Sequence, residues 1–510
     1  MNFSLQDKLR ITSRLDEFGI AFVEGGWPGS NPKDEDYFRR VKNMALGNAE
    51  VVAFGSTRRC GIKSSEDRNL NALVESGVRT ATIFGKAWDL HVTTVLNTTL
   101  ESNTEMVYDS VKYLKEHGLH VIFDAEHFYD GFKNNRDYAL QVVKAAEDAG
   151  ASTVVLCDTN GGMLPDKFHE VTKVVVSTLR VPVGVHCHND SGNAVANSLM
   201  GVVAGAVHVQ GTINGIGERC GNADLCQIIP ALELKMGIST SPSGPSDERL
   251  RSLRPLSMYV YEVLQMRPDP YQPYVGKNAF AHKGGVHVDA VVKNSIAYEH
   301  VDPAKVGNLR LISVSELSGK ANILVKAKEF GINIEKGDPV LLKLLDRIKA
   351  LEFEGYQLEG ADGSLYVLMV KELGLYSKLF EIDQWRTISE SHDHSFAAES
   401  SLKVRVGGKE IFVIAEGNGP VNAQDMALRK AMVAFFPEIE NVQLVNFKVS
   451  IAEAAEGTAS TVRTFIEFSD GKSSWITVGV SANILEASKV ALIDGYDYYL
   501  QMSRDRHNSH

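Results

Sequence analysis

Two histidines one residue apart, His186 and His188, close the run Val183-Gly-Val-His-Cys-His-Asn-Asp190. The run is short and rich in valine, so it reads as a strand. Successive strand side chains point to opposite faces, which sends both imidazoles one way and Cys187 the other. Two imidazoles side by side at the carboxyl end of a strand form one edge of a metal site. Further polar groups follow other strand-like runs: Glu126 and His127, Asp158 and Thr159, and the loop Asn214-Gly-Ile-Gly-Glu-Arg-Cys-Gly-Asn222. Taken singly, an acid at a strand end is often a helix cap, and Asn-Gly is often only a turn. Gathered round one mouth, the imidazoles, an amide oxygen and the carboxylates suit a divalent ion, Mg²⁺ or Mn²⁺, with Zn²⁺ as a third candidate. Such an ion can hold a 2-oxo acid by its carboxylate and carbonyl and polarise the carbonyl toward attack.

These groups need elements to bring them together. From residue 20 to about 213 the chain alternates strand-like runs with amphipathic helical stretches. The strands are expected at Ile20–Gly25, Val51–Gly55, Thr80–Gly85, Leu119–Glu126, Ser152–Asp158, Val183–His188 and Ala206–Ile213, with helices such as Thr104–His117 and Arg136–Ala149 between them. Gly19, Gly77, Gly118 and Gly150 fall where left-handed helix caps belong. This rhythm means parallel strands with crossover helices, either a (β/α)₈ barrel or a doubly wound sheet. No G-x-G-x-x-G follows the first strand, which favours the barrel. The count, however, gives seven strands. Ser4-Leu-Gln-Asp7 reads as a capped helix start, and the strand a closed barrel would place before it is missing.

Residues 239–247 are a polar Pro/Gly-rich break, followed by a mostly helical segment and a second polar stretch around Ser389–Ser401. The expected division is a barrel over 1–238, helical linker subdomains over 239–388, a linker over 389–400 and a C-terminal α+β domain over 401–510. The linker holds two stray histidines, His392 and His394, read as solvated rather than as a second metal site. The last domain shows strands at Leu402–Val406 and Ile411–Ala415 before a helix at Val421–Ala434. Strands at Val442–Ile451, Arg463–Phe468 and Ser474–Val480 then precede a helix at Asn483–Tyr496, an approximate repeat. A small appended unit of this kind is expected to sense a ligand or to dimerise rather than to catalyse.

The 510 residues are enough for about three domains. A net charge of −11 without a basic cluster argues against nucleic acid or an anionic membrane as the main partner. The five cysteines are odd in number, scattered and never spaced C-x-x-C, which favours reduced thiols in a cytoplasmic setting. The opening Met-Asn-Phe-Ser-Leu-Gln-Asp-Lys has no apolar core of a signal peptide, and no apolar run approaches ~18 residues.

Several stretches resemble one family in the same order: Glu24-Gly-Gly-Trp-Pro-Gly-Ser-Asn-Pro-Lys33, Asp124-Ala-Glu-His-Phe-Tyr-Asp-Gly131, Asp158-Thr-Asn-Gly-Gly162, the HCHND run and Asn214–Asn222. The chain resembles the acyl-CoA-dependent 2-oxo-acid aldol family of 2-isopropylmalate, homocitrate and citramalate synthases, and most of all its bacterial (R)-citramalate synthase branch. The tail, with Gly417-Asn-Gly-Pro-Val421, resembles that family's allosteric domain. The resemblance implies His186, His188 and Asn222 as metal ligands, Glu126 as an aid to acid/base chemistry and Thr159 as a hydrogen-bond donor to the substrate carboxylate. It also implies that His287 and Tyr298 reach a partner subunit's barrel, so that a homodimer is the working unit. The reaction implied is condensation of acetyl-CoA with pyruvate, in branched-chain (isoleucine) biosynthesis, with isoleucine as effector. Glu126, His287 and Tyr298 are the available proton handlers, and which of them takes the acetyl proton stays open. Backbone amides at Gly215 and Gly217 are expected to approach a phosphate or thioester oxygen of the cosubstrate.

The family's first strand ends in an Arg-Asp pair within D-T-T-L-R-D-G, and the present sequence starts just beyond that point. Without that aspartate and arginine, metal binding and enolate stabilisation should suffer, so the polypeptide as written is expected to be a poor catalyst. Two alternatives follow: a 2-isopropylmalate synthase acting on 2-oxoisovalerate, or a catalytically impaired regulatory paralogue.

Overall fold

The computed structural model describes residues 3–244, 246–392, 395–452 and 460–508. It divides into two compact units, residues 1–280 with 301–309, and residues 281–300 with 310–510.

The first unit is built on seven parallel strands paired in chain order: β1 (Phe22–Gly26), β2 (Glu50–Ser56), β3 (Thr80–Lys86), β4 (His120–Glu126), β5 (Thr153–Asp158), β6 (Val183–Cys187) and β7 (His208–Gln210). The sheet curls far enough for the rings of Phe22 on β1 and His208 on β7 to lie 5.6 Å apart. Crossover helices such as Leu100–Glu116 and Arg136–Asp148 cover its outer face.

Strand alternation separates two environments. Val121, Phe123 and Ala125, Val154 and Leu156, and Val185 and Cys187 join one large core with Phe38, Leu73, Val107, Val142 and Phe168 of the helices. Burying each large apolar side chain in that layer is worth about 1.5–3 kcal/mol. The opposite face of the same strands carries Ile122, Val155 and Cys157 as a small inner cluster. The polar residues in phase with that cluster are Asp124, Glu126, His186, His208 and Gln210. Gly25 faces outward, where a Cβ would lie 2.2 Å from the Tyr37 ring, so its neighbour Glu24 turns inward. The inner face of the barrel wall thus carries Asp124, Glu126, His186 and His208, while most of the strands' large apolar side chains pack outward against the helices.

The expected helix starts and stops are present. Ser4 and Asp7 form a reciprocal capping box. Gly19, Gly77, Gly118 and Gly150 all take positive φ. The seventh strand is shorter than expected, because the chain leaves the sheet after Gln210 and makes a 3₁₀ turn at Ile213–Gly215.

The second unit opens with a short parallel pair, β8 (Ala281–His282) and β9 (Leu311–Ile312). Helices Lys320–Glu329, Val340–Phe353 and Asp362–Glu372 follow, packed about Leu344, Ile348 and Tyr366. Two three-stranded antiparallel sheets come next: β10 (Glu381–His392), β11 (Ser395–Val406) and β12 (Lys409–Gly417), then β13 (Gln443–Ile451), β14 (Val462–Ser469) and β15 (Ser474–Ser481). Each precedes one helix, Pro420–Val433 and Ile484–Asn508, so the expected internal repeat is real but has three strands per half.

Residues 389–392 and 395–400, expected to belong to a linker, instead lie in two paired strands, and the sheet begins at Glu381 rather than 401. Its alternation is disguised by small residues. Ala398 and Ser400 fill the buried positions in phase with Leu402 and Val404. The Ser400 hydroxyl is satisfied by the Trp385 indole N–H at 2.8 Å. A strand whose inward positions are alanine and serine looks polar throughout. His394 lies outside the described residues, as does the His392 side chain.

Candidate active site

The carboxyl ends of β4 to β7 bring most of the expected barrel residues to one mouth. His186 is the last inward residue of β6, and its ring centroid lies 5.2 Å from that of His188. Past the strand end, His188 donates its backbone N–H to Asp158 O at 3.2 Å and bridges to Asn222 across the loop that follows β7. That loop is zipped onto the end of β6 by Ala223 N to Cys187 O and Asn189 N to Gly221 O, both at 2.9 Å. The amide of Asn222 donates to Ile216 O at 3.3 Å through Nδ2. Its Oδ1 is buried without a hydrogen-bond partner, as is Nδ1 of His188. Buried lone pairs are costly to leave unmatched, and these two belong to side chains expected to ligate a metal.

Burial pushes the His186 imidazole down to about 4, with the neighbouring His188 reinforcing it, so the ring is neutral over the ordinary working range. His188 is lowered as well, by burial first and then by the Arg219 guanidinium. Neutral imidazoles and an amide oxygen are the protonation states a cation needs. Among the described residues, no three His, Cys, Asp or Glu side chains are grouped to hold a metal ion. At this mouth the His186 and His188 imidazoles stand together with the Asn222 side chain, whose backbone bridges to His188.

Gly215 and Gly217 serve Asn222 rather than standing open. The Gly215 N–H is spent on Thr212 O at 3.2 Å, while its carbonyl accepts the Asn222 N–H at 2.9 Å. A Cβ at Gly217 would sit 2.1 Å from Asn222 Nδ2. That internal hydrogen bond engages the Gly215 amide, which was expected to approach a phosphate or thioester oxygen. Both glycines allow the loop to close tightly around the Asn222 side chain.

Glu126 ends β4 and forms an ion pair with Lys86, which ends the adjacent β3. Beyond Glu126 the chain turns through His127 in the left-handed region (φ 57°). Thr159 Oγ1, after β5, accepts the His127 N–H at 2.9 Å, leaving the hydroxyl proton for another acceptor. The His127 ring lies 4.1 Å from His91 and 5.6 Å from Trp88. Arg219 ties the mouth together: it grips Asp190 by Nε and Nη2 at 2.8 and 3.0 Å and donates from Nη2 to Thr159 O at 2.6 Å.

Below the mouth, Gln210 bridges two strands inside the barrel. Its Nε2 donates to Asp124 Oδ1 at 3.0 Å, and its Oε1 lies 3.0 Å from His186 Nδ1. Burial, followed by the neighbouring Glu24, raises the Asp124 carboxyl well above its ordinary range. Glu24, Asp124, Asp190 and Arg219 stand within the sequence motifs with no role assigned to them there, and Lys86 and Gln210 stand outside those motifs. The alternation that singled out His186 and His188 applies equally to His208 and Gln210 and was the available signal.

Three family profiles cover most of the chain: HMGL-like over residues 1–246, the homocitrate synthase post-HMGL domain-like family over 274–355, and the LeuA allosteric (dimerisation) domain over 359–500. An (R)-citramalate synthase of Sulfolobus acidocaldarius is 49% identical over 99% of this chain and 94% of its own. One from Aquifex aeolicus is 50% identical over 99% and 96%. The chain belongs to the (R)-citramalate synthase family. A probable 2-isopropylmalate synthase of Methanopyrus kandleri is more distant, at 31% over 99% and 96%. In this chain the HMGL-like region is thus followed by a LeuA domain, within which the β-β-β-α repeat described above falls.

His287 and Tyr298 belong to the second unit. Their rings are stacked at 4.3 Å, and Tyr298 is 46% exposed, so it is not the core ring that its apolar character alone would make it. The next residue, Glu299, is buried and holds Arg310 by two hydrogen bonds of 2.6 and 2.5 Å while contacting His282 Nε2 at 3.1 Å. The exposed pair is therefore mounted on a buried ionic anchor. No helix among the described residues is long and apolar enough to cross a membrane.

Proposed function

We infer that this protein is an acyltransferase that condenses acetyl-CoA with pyruvate to give (R)-citramalate and CoA. The observation that carries this reading is the agreement of several curated (R)-citramalate synthases at 45–50% identity over 98–99% of the chain. The methyl protons of acetyl-CoA are too weakly acidic for water to remove at neutral pH, so the reaction needs a placed base. The enolate carbon then bonds to the keto carbon of pyruvate, and water cleaves the thioester to release CoA.

His186, His188 and Asn222 would hold a divalent ion, Mg²⁺ or Mn²⁺, with Zn²⁺ as a third candidate. When bound, such an ion polarises the keto group and offsets negative charge on its oxygen. The buried, unpartnered Asn222 Oδ1 and His188 Nδ1 support that role. Thr159, with its hydroxyl proton uncommitted, would donate to the pyruvate carboxylate. Glu126, His287 and Tyr298 would handle protons, Glu126 with its charge offset by Lys86.

The working unit would be a cytoplasmic homodimer in which the LeuA region supplies both association and control, with isoleucine as effector. Titration of the purified chain with isoleucine tests the last point, and absence of heat or of any shift in unfolding temperature overturns it. The reaction itself is tested by following CoA release with pyruvate and with 2-oxoisovalerate in the presence of Mn²⁺. Faster release with pyruvate, and citramalate as product, is expected. A preference for the branched acid would make the chain a 2-isopropylmalate synthase, and release with neither acid would favour a non-catalytic paralogue.

A further inference from the structure

Gln210 stands where its side-chain amide can decide which nitrogen of His186 is free. A neutral imidazole carries one proton and one in-plane lone pair, and whichever nitrogen keeps the proton cannot bind a cation. His186 Nδ1 has Gln210 Oε1 at 3.0 Å. The amide is itself oriented at its other end, where Nε2 donates to Asp124 Oδ1 at 3.0 Å. An amide that spends its N–H on that carboxyl oxygen presents its own oxygen to the imidazole, and an amide oxygen can only accept. The three side chains come from β7, β4 and β6 and are all inward-facing, so the contact is set by the barrel wall rather than by a mobile loop.

We propose that Gln210 is the positioning residue for His186: braced by Asp124, it accepts the Nδ1 proton and leaves Nε2 bare toward the divalent-ion site. This rests on the reading of His186 as a ligand. Outer contacts of this kind fix ring rotation and ligand basicity together, and losing one typically costs 10–100-fold in metal affinity. Gln210 touches neither substrate nor ion in this scheme and acts only through the imidazole.

The test uses the full chain and Mn²⁺ alone as the probe, with affinity read by calorimetry and by electron paramagnetic resonance. Gln210→Met keeps the length of the side chain and removes the acceptor, and should weaken Mn²⁺ binding about 10–100-fold. Gln210→Glu keeps an acceptor and should stay within a few-fold of wild type. Equal losses in the two variants would mark Gln210 as packing only and overturn the proposal, as would wild-type affinity in Gln210→Met. His186→Ala separates this from the reading beneath it. If His186→Ala binds Mn²⁺ as wild type does, the ligand assignment itself falls; if it loses binding while Gln210→Met keeps it, only the role of Gln210 falls. A metal-independent readout is ¹⁵N nuclear magnetic resonance of histidine-labelled protein, with His186 identified by its absence from His186→Ala. The proton is expected on Nδ1 in wild type and as a mixture in Gln210→Met. A proton on Nε2 in wild type, with the amide reversed, overturns the proposal.

Discussion

Arg219 holds Asp190 through two parallel hydrogen bonds, at 2.8 Å from Nε and 3.0 Å from Nη2. The pair joins the loop after β7 to the loop after β6, and the same Nη2 reaches back to Thr159 O after β5. One guanidinium thus spans three strand ends, and its hydrogen bonds, with its charge behind them, hold the Asp190 carboxyl below the usual carboxylate range. Because Arg219 is 43% exposed at its side chain, the pair should add only about 0–1 kcal/mol to stability. Its consequence is geometric. Arg219→Lys keeps the charge but loses the fork, so the Asn222 loop should be held less firmly. The expected result is roughly 10-fold weaker Mn²⁺ binding with a melting temperature lowered by no more than about 2–4 °C. A large stability loss with unchanged metal affinity would assign the pair a purely structural role.

Glu126 stands at the end of β4, paired with Lys86, and is one of the three proton handlers proposed above. Glu126→Gln preserves shape and removes the base. CoA release should fall by about 10²–10⁴-fold in kcat, while Mn²⁺ affinity changes little, since the carboxylate is not among the proposed ligands. Stopped assays at saturating pyruvate and acetyl-CoA check this. An unchanged kcat would pass the proton-removing role to His287 or Tyr298.

The barrel was legible because its strands are nearly continuous apolar runs separated by capped helices, and both signals are local. His186, His188 and Thr159 stood out as candidates because they lie at or just past the ends of such runs, and Asn222 through the resemblance of its loop. Gln210 and Lys86 did not, since they lie at strand ends among ordinary polar residues and acquire meaning only through neighbours 24 and 40 positions away in the chain. The β10–β11 pair was hidden for a different reason. Ala398 and Ser400 are small enough to be buried without looking hydrophobic, so a two-residue period was present with almost no amplitude. Arg219 sits at φ 55°, a strained backbone for a residue with a Cβ, held there by Asp190 and Thr159. No one-dimensional pattern announces such a position.

Gly217 is explained by what its missing side chain leaves room for. A methyl group there would lie 2.1 Å from Asn222 Nδ2 and 3.0 Å from Asn222 Cγ. Gly217→Ala must therefore displace the amide whose oxygen is proposed to meet the metal. Mn²⁺ affinity should drop by about 10-fold or more. Gly162→Ala is a fair control, as nothing lies within 4 Å of its added Cβ, and it should bind as wild type does. Equal behaviour of the two variants would detach Asn222 from the ion.

Asp497 supplies a pH dependence in the second unit. Its carboxyl is 2% exposed, accepts a hydrogen bond from Tyr376 at 2.8 Å and is pushed by burial up to about 6. The unfolded chain returns it to about 3.9. Between those values the folded state binds more protons than the unfolded one, so this group's contribution to stability falls as pH rises through roughly 4 to 6. The deficit above that window is on the order of 3 kcal/mol. Asp497→Asn keeps an acceptor for Tyr376 and removes the buried charge. The variant should melt higher than wild type at pH 8, with the gap closing as pH approaches 4. Calorimetric scans of both proteins across pH 4 to 8 give the measurement. A variant less stable than wild type at pH 8 would mean that the ionised carboxylate is stabilised by its surroundings, with Lys371 offsetting its charge more strongly than burial opposes it.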